Sequence, residues 1–368
     1  MIKGYYIVPD MRSSEIGVNK KFQYHVNEFG KISDVEMIRV PENKNITRIM
    51  MRLPVGNSGC DYTAVYSKIL NPNYIYIRKK DFDAKLFSFM SKIKNNYPDC
   101  KILLEIPTFP YDKDGLNKWY NIFIILKDRF YRKKVQRYVD RIVTYSDDET
   151  IFGCKTIKAH NGVDCSRITP VQDYSLETNT VRLIAVAQFR QHHGYERLIQ
   201  GMGLYYKKKH DKKVILYMVG NGSERALYEK TAKDFGVEEY VYFLGSMQGN
   251  ELDAQYEKSD IAVSSLGMYK LGLKNVSTLK NCEYISKGLP IITAYHDYIL
   301  DGLNTVLTMP NDSSPICIDD IISFYDQVYR NGKKAVIESN RKVAIERADL
   351  SQCYKDVFKF IIETANNK

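Results

Sequence analysis

From residue 181 the chain keeps a beat that few folds can use. Five short apolar runs, "VRLIAVA" (181–187), "VILYMVG" (214–220), "VYFLG" (241–245), "DIAVSS" (260–265) and "LPIITA" (289–294), alternate with helical patterns near 194–209, 223–235 and 250–258 and within "LKNVSTLKNCEYISKGLPIIT" (273–293). Runs that are continuously apolar are buried on both faces, and parallel strands need a crossover helix between them. The first half keeps the same rhythm with "GYYIV" (4–8), "ITRIMMRL" (46–53), "YIYI" (74–77), "KILLEI" (101–106) and "RIVTY" (141–145), and helical stretches near 18–29, 61–70, 82–96 and 116–138. The expectation is an α/β protein of two Rossmann-like domains, their parallel sheets facing across a central cleft. A length of 368 residues fits two domains. The polar segment "KAHNGVDCSRITPVQDYSLETN", with Gly162 and Pro170, puts the boundary near 170. The domains are then 1–170 and 171–344, and the end of a last helix near 335–365, about 345–368, is expected to pack back on the first.

Composition excludes several classes. No apolar run is long enough to span a bilayer, and "MIKGYYIVPDMRSSE" lacks a signal-peptide pattern, so a cytoplasmic protein is expected. Seven cysteines stand singly with no C-x-x-C pair and no histidine at ligand spacing, which predicts reduced thiols and no structural zinc. The net charge of +10 calls for an anionic partner. Lys127, Arg129, Arg132, Lys133, Lys134, Arg137 and Arg141 are interleaved with aromatic and aliphatic residues in "KDRFYRKKVQRYVDR", after the single tryptophan. At helical period, residues 117–140 read either as an element lying on an anionic membrane surface or as a solvated helix packed on its own domain. No nucleic-acid module is recognisable.

In open α/β sheets ligands bind beyond the carboxyl ends of the strands, where helix N-termini offer amides and partial positive charge. Glycines stand where backbone must approach closely there: Gly17 after the first strand, Gly194 after "VAQFRQHH", and Gly220 and Gly222 around Asn221 in "VGNG". None completes G-x-G-x-x-G, and a Walker A lysine motif is absent. "DFD" (81–83) reads as a helix cap.

The ordered set "HNGVD" (160–164), "LIAVAQFRQHHGYERLIQGM" (183–202), "LYMVGNGSERALYEKTAKDFGVEEYVYFLGSM" (216–247), "SDIAVSS" (259–265) and "CEYISKGLPIITA" (282–294) resembles the C-terminal half of GT-B glycosyltransferases of family four, retaining enzymes that use nucleotide sugars. The N-terminal half is similar only through "SSEIGVNKKFQYHVNEFG". The resemblance implies that Glu283, the second Glu of an E-x7-E motif, holds the ribose hydroxyls of the donor. A carboxylate accepts charge-assisted bonds from a vicinal diol. The first Glu of that motif falls on Asn275, a departure that changes the contact with the donor sugar. The family's G-R-x4-K-G diphosphate clamp becomes "AQFRQHHG", its Arg falling on Gln188 and its Lys on His193. Because a departing diphosphate gathers negative charge, cations are still required. Arg190, Lys274 and Lys280 are the candidates, with Ser277 and Thr278 at the start of the helix that carries Lys280 and Glu283 one turn apart.

The resemblance therefore implies transfer of a sugar from a nucleotide-sugar donor to an acceptor hydroxyl, with retention and without a metal or other cofactor, no Asp-x-Asp motif being present. The implied acceptor is a glycan or lipid-linked saccharide of bacterial capsule or exopolysaccharide assembly. It should meet the first domain near Gly17, Asn19 and Lys20 and near Thr108 in "EIPTFPYDKD", and no catalytic base is assignable. Two other readings stay open: a catalytically degenerate GT-B partner that binds a nucleotide or glycan without turnover, and a sugar-nucleotide epimerase.

Overall fold

The apolar runs of the first half become strands because Tyr, Ile and Leu fill both faces of a sheet. The computed structural model describes residues 1–10, 16–41, 60–80, 82–107, 109–111 and 122–366. Its strands there are β1 (Lys3–Pro9), β2 (Asp34–Val40), β3 (Tyr74–Arg78), β4 (Lys101–Ile106), β5 (Arg141–Thr144), β6 (Thr150–Ile151) and β7 (Cys154–Lys158). They are ordered β2-β1-β3-β4-β5-β7-β6, and only the β6–β7 pair is antiparallel. Registers such as Tyr5↔Ile75, Ile75↔Ile102 and Leu104↔Ile142 stack buried side chains into one core. The helices between them are α1 (Ile16–Phe29), α2 (Tyr62–Tyr66), α3 (Ala84–Asn96) and α4 (Ile122–Arg132). Asp83 caps α3, its carboxylate accepting from the Leu86 amide at 2.9 Å, the role read for "DFD".

The second unit contains β8 (Thr180–Val186), β9 (Lys213–Val219), β10 (Val241–Gly245), β11 (Ile261–Val263), β12 (Ile291–Thr293) and β13 (Val306–Thr308), all parallel in the order β10-β9-β8-β11-β12-β13. Its helices are α5 (Glu196–Tyr206), α6 (Arg225–Phe235), α7 (Gly249–Glu257), α8 (Leu279–Lys287), α9 (Ile318–Val328) and α10 (Lys333–Val343). Val181, Leu183, Leu216 and Met218 of the central strands are fully buried between the helical layers. The strand order reverses between β8 and β11, which opens a crevice at their carboxyl ends.

Several expectations change. The expected strand at 46–53 lies outside the described residues. β2 escaped the apolar-run criterion because it is an edge strand whose first residues alternate between exposed and half-buried. The helical stretch near 335–365 is broken: α10 passes into a π-turn at Ala344–Ala348, and Asp349 then leaves helical geometry. There it accepts from the Cys165 and Ser351 amides at 3.1 and 3.0 Å. The C-terminal helix that follows (Lys355–Asn366) groups with the first unit, so the units are Met1–His160 with Cys353–Lys368, and Asn161–Gln352. Residues 161–170 thus belong to the second unit, where the Val163 amide donates to Ala348 O (2.9 Å) and Lys287 Nζ to Thr169 O (2.9 Å). Among the described residues no helix is long and apolar enough to cross a membrane.

Candidate functional site

At the β8–β11 switch the chain gathers positive charge onto glycine-bearing turns. β8 runs out through Ala187 and Gln188 into a single 3-10 turn, Gln191–His193, and Gly194 ends that turn in the left-handed region (φ 62°). Only glycine fits there: a Cβ would lie 2.5 Å from the Gly267 amide nitrogen in the segment after β11. The Leu266 amide completes the join by donating to His193 O at 2.7 Å. On the other side of β8, Gly220 (φ 135°) lets the end of β9 close in, since a Cβ would stand 1.8 Å from Ala187 O. The Phe189 amide donates to Asn221 O (2.8 Å), and Phe189 bridges to Gly222.

His193 is buried, and the Arg190 amide donates to its Nδ1 at 3.0 Å. That bond assigns the ring proton to Nε2. Burial, reinforced by Lys280, His192 and Arg190, holds His193 far below the usual histidine range, so the ring is a neutral Nε2–H donor. His192, half-buried beside it with ring centroids 4.5 Å apart, is pushed down to about 4 by burial and then by Lys280 and Arg190. Arg190 is exposed, its guanidinium donating to Gln188 Oε1 at 2.9 Å.

Lys280 reaches this cluster from the first turn of α8. Its ammonium donates to Ser265 Oγ at 3.0 Å, just past β11, and lies 3.4 Å from the Tyr195 hydroxyl. His193 stacks on the same Tyr195 ring, centroids 5.6 Å apart. Among the described residues no carboxylate pairs with Lys280, and burial alone pushes it down to about 7. The intrahelical ion pair with Glu283 is thus absent. Glu283 is half-buried one turn further along α8, where its charge adds to the burial that raises the Tyr256 and Tyr284 hydroxyls.

The remaining residues read from the sequence divide into two groups. Thr278 stands at the N-cap of α8, its hydroxyl 2.8 Å from the Tyr295 hydroxyl, and Ser277 Oγ beside it is buried with no hydrogen-bond partner among the described residues. Lys274 and Asn275 are exposed on a bridge to His296, and among the described residues no hydrogen bond joins either side chain to the cluster. Gly17, Asn19 and Lys20 fall on α1 in the first unit, where Asn19 Oδ1 accepts from Arg39 Nη1 at 3.0 Å, and Thr108 lies outside the described residues. His192, Tyr195 and Ser265 are the cluster members that sequence reading missed. The "SS" closing the β11 run and the tyrosine after Gly194 were the available signals.

A neutral histidine N–H, a guanidinium, an ammonium with no carboxylate partner among the described residues and the amides of a helix start stand at the carboxyl edge of a parallel sheet, the place where open α/β sheets take anions. Residues 170–312 match the family model of glycosyl transferases group 1. The group 1 segment contains the whole cluster, from Gln188 to Lys280. No curated protein matches the chain. Among solved structures, the chain is similar to a sucrose-phosphate synthase from Thermosynechococcus elongatus, with a TM-score of 0.68, 13% identity and 100% of both chains covered. It is also similar to a glycosyltransferase from Rickettsia africae ESF-5 (TM-score 0.61, 14% identity, covering 100% of this chain and 99% of that one). A third similar structure is HepE of Anabaena in complex with UDP (TM-score 0.61, 12% identity, covering 98% and 100%). The fold is that of the GT-B glycosyltransferases, with two Rossmann-like bodies.

Proposed function

We propose that the protein is a glycosyltransferase that moves a sugar from a nucleoside diphosphate sugar to an acceptor hydroxyl, with retention and without a metal ion. The observation that carries the reading is Lys280, a half-buried ammonium with no carboxylate partner, joined to His193 through Tyr195 inside the group 1 segment. Where the resembling enzymes hold a lysine, this chain has His193, and in this proposal Lys280 supplies the ammonium from a different element. An anion there offsets the desolvation of Lys280, and the charge that a leaving diphosphate develops is what such a cluster stabilises. His193 Nε2–H, Arg190 and the first amides of α8 complete the cradle. Glu283 takes the ribose diol, and the exposed Asn275 meets the donor sugar. The UDP in the HepE complex makes UDP the first nucleotide to test.

The acceptor belongs in this proposal to the first unit, near Asn19, Lys20 and Thr108. It is a lipid-linked saccharide of the capsule or exopolysaccharide type, with α4 resting on the inner leaflet of the cell membrane. The test is calorimetric titration with UDP and uridine, followed by assay of sugar release from UDP-sugars. Lys280→Ala should cost UDP binding about 1.5–3 kcal/mol and leave uridine binding unchanged, whereas Glu283→Gln should weaken both ligands by a similar amount. Equal losses for UDP and uridine in Lys280→Ala would remove the phosphate role. Binding without sugar release would make the protein a non-catalytic nucleotide-binding partner instead.

A further inference from the structure

Behind the first turn of α8 lies a buried polar knot. Tyr295, 3% exposed, has its hydroxyl 2.8 Å from both Ser264 Oγ and Thr278 Oγ1, and it accepts from Asn281 Nδ2 at 3.0 Å. One carboxylate oxygen of Asp297, Oδ2, accepts from the Thr278 amide at 3.2 Å and from Asn281 Nδ2 at 2.9 Å. Two acceptors of the same pair are left over: among the described residues, buried Asn281 Oδ1 and Asp297 Oδ1 have no partner within hydrogen-bond geometry, the Ile299 amide standing near the Asp297 carboxyl without closing such a bond. The residues are 0% and 3% exposed, so bulk solvent does not reach them.

Orphaned buried acceptors are costly, and a single proton shared between these two would relieve both. A carboxylic acid and a carboxamide close a cyclic pair, the amide N–H donating to one carboxyl oxygen while the acid O–H donates to the amide oxygen. We propose that Asp297 is a positioning residue that in its protonated form closes such a pair with Asn281 and so sets the first turn of α8 for an anionic ligand. Ionisation then opens the pair and places a negative charge against the amides that the ligand needs. The coupling to a ligand rests on the reading of α8 as the diphosphate site, whereas the pair itself does not.

The surroundings favour the neutral acid. Burial raises the Asp297 carboxyl to about 6, against the pull of Asn281, the Thr278 and Ile299 amides and His296. His296 is engaged with Asp301 at 2.7 Å, the Tyr295 hydroxyl stays neutral because burial raises it, and Lys280 on the same turn is bonded to Ser265. Because the folded-state value lies above the ordinary one near 4, the proton stabilises the fold. That contribution is complete below about pH 4 and is lost as pH rises through about 6.

Asp297→Asn makes the second hydrogen bond permanent, since its amide accepts from Thr278 and donates to Asn281 Oδ1. In thermal melts of the ligand-free full chain, the variant should match wild type at pH 5 and melt about 2–4 °C higher at pH 7.5. Its UDP affinity should exceed that of wild type by about three- to tenfold at pH 7.5 and by less than twofold at pH 5.5, the scale of one helix-terminus charge. Asp297→Ala, which loses the Thr278 acceptor, should melt lower at both pH values. Asp297→Asn melting below wild type by the same amount at both pH values overturns the proposal, as does a wild-type affinity advantage at pH 7.5. A pH-dependent melting gap with no UDP binding by either protein supports the acid–amide pair and overturns the diphosphate reading of α8.

Discussion

A lysine poised at about 7 is a proton-linked receptor. With no carboxylate partner among the described residues, Lys280 is partly neutral at physiological pH, and a diphosphate bound there, as proposed, would raise its affinity for the proton. The sign follows: the stabilisation of the complex is complete below the free value near 7 and is lost as pH rises through the higher value of the bound state. Titration of UDP at pH 7.5 in two buffers of different ionisation enthalpy should therefore show proton uptake, and Lys280→Met should abolish it. Equal apparent enthalpies in the two buffers for wild type would show that Lys280 stays clear of the phosphates. At this scale the sequence pointed to Lys280, His193 and Arg190 because the clamp motif had changed, and a missing cation prompts a search for another. It did not point to Ser265, Tyr195 or Asp297. Their contacts arise where separate strands end side by side, and no spacing along the chain encodes that.

Strands buried on both faces were the most legible, although the edge strand β10 was also read from its run "VYFLG". β3, β4, β8 and β9 follow their apolar runs within a residue or two, whereas β2 and the short β13 sit at sheet edges and carry weaker patterns. α9 was also passed over, although Ile318, Ile321, Phe324 and Tyr325 mark a buried stripe at helical spacing. The basic helix illustrates the limit of periodicity. α4 does present Leu126 and Phe130 outward, at 52% and 59% exposure, beside exposed Arg129 and, past the helix, Lys133 and Arg137. Lys127 and Asp128, however, are buried, and Asp128 engages Lys79 (3.3 Å), Arg132 (3.7 Å) and the Tyr111 hydroxyl (2.8 Å). Part of the charge thus serves the domain itself, and only the outer residues remain for a lipid surface. Each exposed cation near anionic lipid contributes about 1 kcal/mol, so Arg129→Glu, Lys133→Glu and Arg137→Glu together should abolish sedimentation with anionic vesicles at low salt. Zwitterionic vesicles should retain neither protein. Wild type that ignores anionic vesicles would reduce α4 to a solvated face.

For the molecule as a whole, strand rhythm and length announced two α/β bodies, and the last helical stretch was expected to reach back to the first. What was not legible is the break at Asp349, because it interrupts one long apolar periodicity with contacts made far back in the chain, at Val163 and Cys165. The returning segment is part of the first unit's core. Tyr354, Val357 and Ile361 are at most 1% exposed, Tyr354 packs edge-on to His25 and lies 2.9 Å from the Tyr145 hydroxyl, and Phe358 meets Phe29 at 5.1 Å. Tyr145 in turn donates to Glu105, a fully buried carboxylate held well below the usual range because Arg78 and Lys21 outweigh its burial. Removing four such side chains forfeits about 6–12 kcal/mol at about 1.5–3 kcal/mol each. That is the size of a whole domain's stability, about 5–15 kcal/mol. Truncation after Gln352 should therefore abolish the cooperative melting of the first unit in calorimetry. The second unit, whose strands, helices and cation cluster all lie between Asn161 and Gln352, should keep its own transition and bind UDP within about threefold of wild type, because distant sites couple by only a few tenths of a kcal/mol. Loss of both transitions on truncation would mean that the two units fold as one, and that the donor site depends on more of the chain than the residues that build it.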